Sequence, residues 1–207
     1  MMKKQEAIQY TIGVEDLHIC FQLTEGDTAT VPTYEEDVYA QTNITDVTIT
    51  PNISNFTKYA SNKKIINITK NSSYALAFNL AGLSRVVKDK MLGKTPVRGV
   101  AFTNATPTTY PKFAVGLPMP TSDGKKVLRW YPNCTITPTA ETFATQNEEM
   151  TVNDVAYTIT ADPLLFNDVT EVELDTGREG ADITADEFLA QVVYDESQLE
   201  TLFPVTP

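Results

Sequence analysis

Val155-Ala156-Tyr157-Thr158-Ile159-Thr160-Ala161-Asp162 alternates without a break. Val155, Tyr157, Ile159 and Ala161 fall on one side, and Ala156, Thr158, Thr160 and Asp162 on the other. A period of two places one apolar and one hydroxylated face on an extended strand, so this octet reads as a half-buried β-strand. Cys134 and Ile136 against Thr135, Thr137 and Thr139 repeat the pattern, as do Val47 and Ile49 against Thr48 and Thr50. Threonine occurs 30 times in 207 residues, and its β-branched side chain suits a pleated surface that faces water or a polar partner.

Outward from these segments, further strands are expected around residues 8–23, 64–69, 74–80, 97–103, 112–117 and 125–131. Residues 118–124 join the last two, and Asp123-Gly124 supplies the geometry of a hairpin turn. Many short strands predict a mainly β protein, a sandwich or a barrel. Helices are expected to be few. Ser84 is placed to cap one in which Leu83, Val86, Val87 and Met91 line one side and Gly93 ends the run. Thr184-Ala185-Asp186-Glu187 has the capping-box spacing, with Phe188, Leu189 and Val192 as its apolar stripe. Residues 195–203 suggest one more helical turn. Loops are expected at 26–34, 52–63, 104–111, 141–150 and 175–182, and loops this long in a small β domain often carry function. No domain boundary or internal repeat stands out, so residues 1–207 read as one domain with an N-terminal arm at about 1–7 and a C-terminal extension at about 204–207.

The net charge is −11, which disfavours binding driven by phosphate neutralisation. The distribution says more than the total. Residues 1–50 hold 2 Lys/Arg against 9 Asp/Glu, residues 51–130 hold 13 against 2, and residues 131–207 hold 1 against 16. A basic middle is flanked by acidic ends, which either interleave on folding into a surface of mixed charge or let copies meet through opposite charge. No apolar run reaches the roughly 18 residues of a membrane span, and the first ten residues lack a secretory apolar core. The expectation is a soluble protein made in the cytosol, with no membrane binding.

An enzyme needs a nucleophile with a base, tuned carboxylates, a metal cluster or a phosphate cradle. The one histidine, His18, lies two residues from Cys20, so a strand would put both on one face and a Cys-His dyad is conceivable; a structural histidine is the commoner outcome. Cys20 and Cys134 have no metal-like spacing and read as buried free thiols. Glu35-Glu36-Asp37 and Glu148-Glu149 lack the spaced oxygens of a calcium loop and read as solvated charge. Glycines are scattered rather than clustered for a nucleotide. No catalytic, cofactor-binding or metal residues are assigned, and no cofactor is expected.

Asn-X-Ser/Thr sites, among them Asn43, Asn52, Asn55, Asn67, Asn71 and Asn133, read as by-products of an Asn- and Thr-rich β sequence. Lys58, Lys63, Lys64 and Lys70, interleaved with Phe56, Tyr59 and Tyr74, resemble a basic-aromatic nucleic-acid patch. The overall charge favours instead a segment reaching for an acidic partner surface. Lys58, Tyr59, Lys63 and Lys64 are therefore the candidate inter-subunit contact residues.

The stretch KKVLRWYPNCTITPTAETFATQNEEMTVNDVAYTITADPLL, residues 125–165, resembles the C-terminal core of major tail (tail tube) proteins from long, non-contractile-tailed bacteriophages of Gram-positive hosts. The matching runs are Thr137-Pro138-Thr139-Ala140-Glu141, and Tyr157-Thr158-Ile159-Thr160-Ala161 ending the alternating strand. Upstream, SSYALAFNLAGLSRVVKDKMLG, residues 72–93, is similar to the family's strand followed by a short helix ending in Leu-Gly, and the order of strand, long loop and strand between 44 and 73 also fits. The resemblance spans residues 44–195. It implies a β-sandwich with a flanking short α-helix and long loops, whose strands join an inter-subunit barrel. Copies would close into rings, hexameric in the family, that stack into the virion's tail tube after synthesis in the host cytoplasm. It also implies tape measure, tail terminator and distal tail proteins as partners and transient passage of double-stranded DNA during ejection. The alternatives are another β-rich phage structural protein, such as a capsid decoration protein, the tube-forming protein of a secretion system, or a carbohydrate- or receptor-binding module that stacks sugars on Tyr110, Trp130 and Tyr131.

Overall fold

A computed structural model describes residues 8–106, 109–140 and 154–204. The strands are β1 Leu17–Thr24, β2 Thr33–Tyr34, β3 Tyr39–Gln41, β4 Ile44–Ala60, β5 Lys63–Leu80, β6 Phe113–Pro120, β7 Lys126–Thr137, β8 Val155–Ala161 and β9 Val172–Asp175. Three short helices accompany them, α1 Arg85–Met91, α2 Ala185–Leu189 and α3 Gln198–Leu202. All strand pairs are antiparallel, in the order β2-β1-β6-β7-β8-β5-β4, with β3 beside β1 and β9 beside β7. The protein is mainly β.

Seven of the eight residues Val155–Asp162 form β8, and its burial alternates as its composition does, with Tyr157, Ile159 and Ala161 buried. They meet Leu17, Ile19 and Phe21 of β1, Leu76, Phe78 and Leu80 of β5, Phe113, Val115 and Leu117 of β6, and Val87 and Met91 of α1 in one apolar cluster. The sheet is curled so that strands distant in its order share that core, in the manner of a sandwich. A second cluster lies on the opposite face of β1, β6 and β7. There Cys20, Ala114, Leu128 and Trp130 pack under Phe188 and Leu189 of α2 and the following Val192 and Val193.

Strand β7 serves both clusters because its alternation changes phase midway. Leu128 and Trp130 point to the second cluster, whereas Tyr131, Cys134 and Ile136 belong to the first. Phe113 pairs with Cys134 but Val115 pairs with Tyr131, so Pro132 and Asn133 together oppose Ala114. One extra residue flips every later side chain to the other face. A proline is tolerated at this bulge, and its carbonyl accepts hydrogen bonds from the Tyr34 hydroxyl at 2.9 Å and Gln22 Nε2 at 3.1 Å.

Several expectations are corrected. The strand expected from residue 8 begins only at Leu17. Upstream, Ile12 and Glu15 donate their N–H groups to the carbonyls of Pro120 and Pro118, both at 2.9 Å, but those prolines have no N–H to return, so a full ladder cannot form. Residues 97–103 make no strand. Val97 and Val100 bond each other across Arg98 and Gly99, both at positive φ, and Val97, Val100 and Phe102 are exposed. The segments 64–69 and 74–80 are one strand, β5. The loop expected at 52–63 does not exist: β4 and β5 continue through it as a hairpin. The short strands β2, β3 and β9 were not foreseen.

In α1, Ser84 occupies the N-cap without a side-chain hydrogen bond, and Val86 is exposed, so the buried stripe is Val87 and Met91. The helix is held instead by Lys90, whose ammonium lies 2.5 Å from Glu35 Oε1 and over the Phe21 and Tyr39 rings. Burial works against that charge, but hydrogen bonds to Glu35 and Tyr39 outweigh it and hold the Lys90 pKa above its ordinary value. Thr184 and Glu187 form the expected reciprocal capping box at α2. The Asp123-Gly124 turn joins β6 to β7, with Gly124 at positive φ. The expected loop at 141–150, with Glu148 and Glu149, and the terminal segments 1–7 and 205–207 lie outside the described residues.

Candidate assembly surface

The distal half of the β4-β5 hairpin stands away from the body as an arm. Every residue from 51 to 72 is exposed. Pairing runs from Asn52↔Ser73 at its base to Ala60↔Lys63 at its tip, which at the usual rise is about 25–30 Å. The tip is a two-residue turn, Ser61 and Asn62, with φ of 49° and 58°. Positive φ at both central positions is the turn whose twist matches paired strands.

Register assigns the arm's side chains to two unlike faces. One carries Ser54, Phe56 and Lys58 opposite Lys70, Ile68 and Ile66; the other carries Ile53, Asn55, Thr57 and Tyr59 opposite Asn71, Thr69, Asn67 and Lys64. Extra residues on β5, Ser72 and Ile65, shift the pairing at the base and near the tip. The second face is knitted by cross-strand hydrogen bonds, Thr57 Oγ1 to Asn67 Oδ1 at 3.0 Å and Thr69 Oγ1 to Asn55 Oδ1 at 2.8 Å. The first has an apolar centre between lysines. Phe56, Ile66 and Ile68 are 58%, 39% and 57% exposed.

The four candidate contact residues are thus brought together at the end of the arm but divided between its faces. Lys58 lies on the apolar face, Tyr59 and Lys64 oppose each other on the amide face, and Lys63 flanks the turn. The exposed apolar side chains of Ile66 and Ile68 beside them are not among the candidates. Their signal was present in the alternation Lys64, Ile66, Ile68, Lys70, but was hidden by reading 64–69 as an ordinary strand of the body.

The face of β4 that carries Phe56 continues into the body as a polar surface. Thr50, Ala75, Thr160 and Thr135 lie in register across β4, β5, β8 and β7, and Thr48, Ala77, Thr158 and Thr137 form the next row. These eight side chains are small and uncharged, and none is buried. Strand β4 ends the sheet and pairs only with β5 among the described residues, so its other edge offers unpaired backbone groups along 17 residues. A long open edge is a template for another chain.

The residues considered for chemistry are engaged elsewhere. His18 and Cys20 share a face of β1, yet His18 Nδ1 is 3.1 Å from the Asp16 carbonyl and Cys20 Sγ donates to the Glu35 carbonyl at 3.4 Å. Burial holds the His18 pKa below its ordinary value, while burial, with Glu35 beside it, pushes the Cys20 thiol up to about 11. An activated dyad needs the reverse. Cys134 is also raised by burial, and both cysteines are free and buried. At pH 8 neither thiol of the native protein should react with an aromatic disulfide reagent, and both should react on unfolding. A fast-reacting native thiol would contradict this burial. Because the folded Cys20 pKa lies above the unfolded one, its contribution to stability is present below about pH 9 and lost as pH rises toward 11.

No group of metal-ligating side chains occurs among the described residues, and no described helix is long and apolar enough to cross a membrane. Trp130 and Tyr131, considered as sugar-stacking platforms, are fully buried. Trp130 Nε1 donates to the Phe188 carbonyl at 2.8 Å, and the Tyr131 hydroxyl donates to Glu171 at 2.7 Å. Comparison with protein-family models and with curated proteins returns no match for this chain.

Proposed function

We propose that this chain is a structural β protein that works by assembling with copies of itself rather than by catalysis. The observation that carries the reading is the arm. A two-stranded ribbon is marginal alone in water, and this one exposes Ile53, Phe56, Tyr59, Ile65, Ile66 and Ile68 with no acidic residue between 52 and 73. Such a surface calls for a partner, and the acidic thirds of the same sequence supply one. Within this class, the resemblance of residues 44–195 selects the major tail protein of a long, non-contractile-tailed bacteriophage, whose copies stack as rings into the tail tube.

Two further features support that reading. A neighbour's strand on the open β4 edge would continue the sheet around a ring and remove its exposed backbone groups. The Thr/Ala rows, facing a channel, would present DNA with no cation to grip. Stacking is a head-to-tail contact, which generates open filaments. Tape measure, terminator and distal tail proteins are the partners this role implies.

Negative-stain electron microscopy over a concentration series tests the proposal, with stacked rings or tubes around an open channel as the expected result. Lys58→Glu, Lys63→Glu and Lys64→Glu together should prevent tube formation while circular dichroism and melting stay those of the parent. Normal-length tubes from the triple variant would refute a role for the tip.

A further inference from the structure

The body carries a groove whose chemistry complements the arm. It lies between the 167–173 segment and α3, has a volume of about 520 Å³, and is lined by the apolar side chains of Val169, Val172 and Leu199. Val193 and four carboxylates, those of Glu171, Glu173, Asp195 and Glu196, complete its lining. Leu199 is 37% exposed although it is a large apolar side chain. Arg129, at 2.9 Å from Glu173 and 3.6 Å from Glu171, and Arg178 beside Glu173 already pair those two carboxylates, so Asp195 and Glu196 are the lining carboxylates without an ion pair among the described residues. Glu196 is exposed.

Resting on the self-assembly reading above, we propose that the lysine-flanked apolar face of the arm, Phe56, Ile66 and Ile68 between Lys58 and Lys70, seats in this groove on a second copy. The fit is one of pattern. Apolar residues on the arm's midline meet the groove's apolar lining, and the lysines to either side meet its carboxylates, Asp195 and Glu196 foremost. Removing the apolar side chains from water supplies the attraction, and the paired charges set orientation and make the contact salt-sensitive. The amide face of the arm stays outward, its Thr and Asn side chains already bonded to each other.

A cysteine pair tests the contact. Both native cysteines are buried, so Ile68→Cys with Leu199→Cys provides two exposed thiols. Oxidising assembled tubes should give a ladder of disulfide-linked chains on a non-reducing gel, and neither single variant should. Tubes that assemble yet run only as monomers overturn the groove and leave self-assembly standing, as do ladders from Ile68→Cys alone. A parent chain that assembles under no condition overturns the self-assembly reading and this inference with it.

A charge exchange gives a second measurement without cysteines. Lys58→Glu with Lys70→Glu should raise the critical concentration for assembly at least tenfold, and adding Glu196→Lys to that chain should recover part of the loss. No recovery overturns the pairing.

Discussion

Replacing residues 53–72 with Asn-Gly should abolish the proposed assembly and leave the body folded. The replacement joins Asn52 to Ser73, which are already cross-strand partners bridged by a hydrogen bond of 2.8 Å, through a dipeptide suited to a two-residue hairpin turn. The excised residues are all exposed and none belongs to either apolar cluster, so thermal unfolding should shift by no more than a few degrees. If the arm is the contact between copies, its loss removes the whole apolar surface and all four of its lysines at once. Sedimentation velocity should then show a single slow species at concentrations where the parent forms tubes. Tubes from the shortened chain would end the case for the arm, and an unfolded product would show that the ribbon supports the body.

The second large effect is on stability. Trp130→Ala should cost about 3–5 kcal/mol, the usual range for deleting a large buried aromatic, because the ring is fully buried beneath α2. The Phe188 carbonyl would lose its donor as well. The space cannot be refilled from β6: a Cβ at Gly116 would stand 2.9 Å from the Trp130 ring atoms, so the sequence at that position is already cut back to admit the ring. A domain holds only about 5–15 kcal/mol in total, and at roughly 2–4 °C per kcal/mol for a chain of this size the melting point should fall by about 10 °C. Trp130→Phe keeps the apolar volume but not the N–H and should lose far less. Equal losses in the two variants would assign the effect to the hydrogen bond alone.

The parts legible in the sequence were those where local chemistry and tertiary context agree. Val155–Ala161 alternates because one side meets the core, and Thr184 to Glu187 caps a helix with its own side chains. The Asp123-Gly124 turn is set by two residues. The arm was illegible as strand because burial, the usual source of alternation, does not act on it. Asn, Ser, Thr and Lys dominate it, and its turn uses Ser61-Asn62 rather than a glycine. In β7 the alternation was readable on each side of Pro132 but not across it, since only the pairing with Ala114 reveals the extra residue. Residues 97–103 failed for the opposite reason. Their valines and phenylalanine look like a strand, yet Arg98 and Gly99 turn the chain before a partner can be reached.

Among the candidate contact residues the lysines are legible in the sequence, and the apolar side chains beside them on the arm are not. Lys58, Lys63 and Lys64 stand out in any charge profile. That Ile66 and Ile68 flank Phe56 on one face follows only from the antiparallel register and the bulge at Ile65.

The separation of the arm from the two apolar clusters has an evolutionary consequence. The arm residues that would choose a neighbour are not those that hold the body together, so a substitution in the arm need not disturb the body. Lineages could alter Phe56 or Ile68 in step with Leu199 and become mutually incompatible, each filament excluding the other's chains, while both kept the same body.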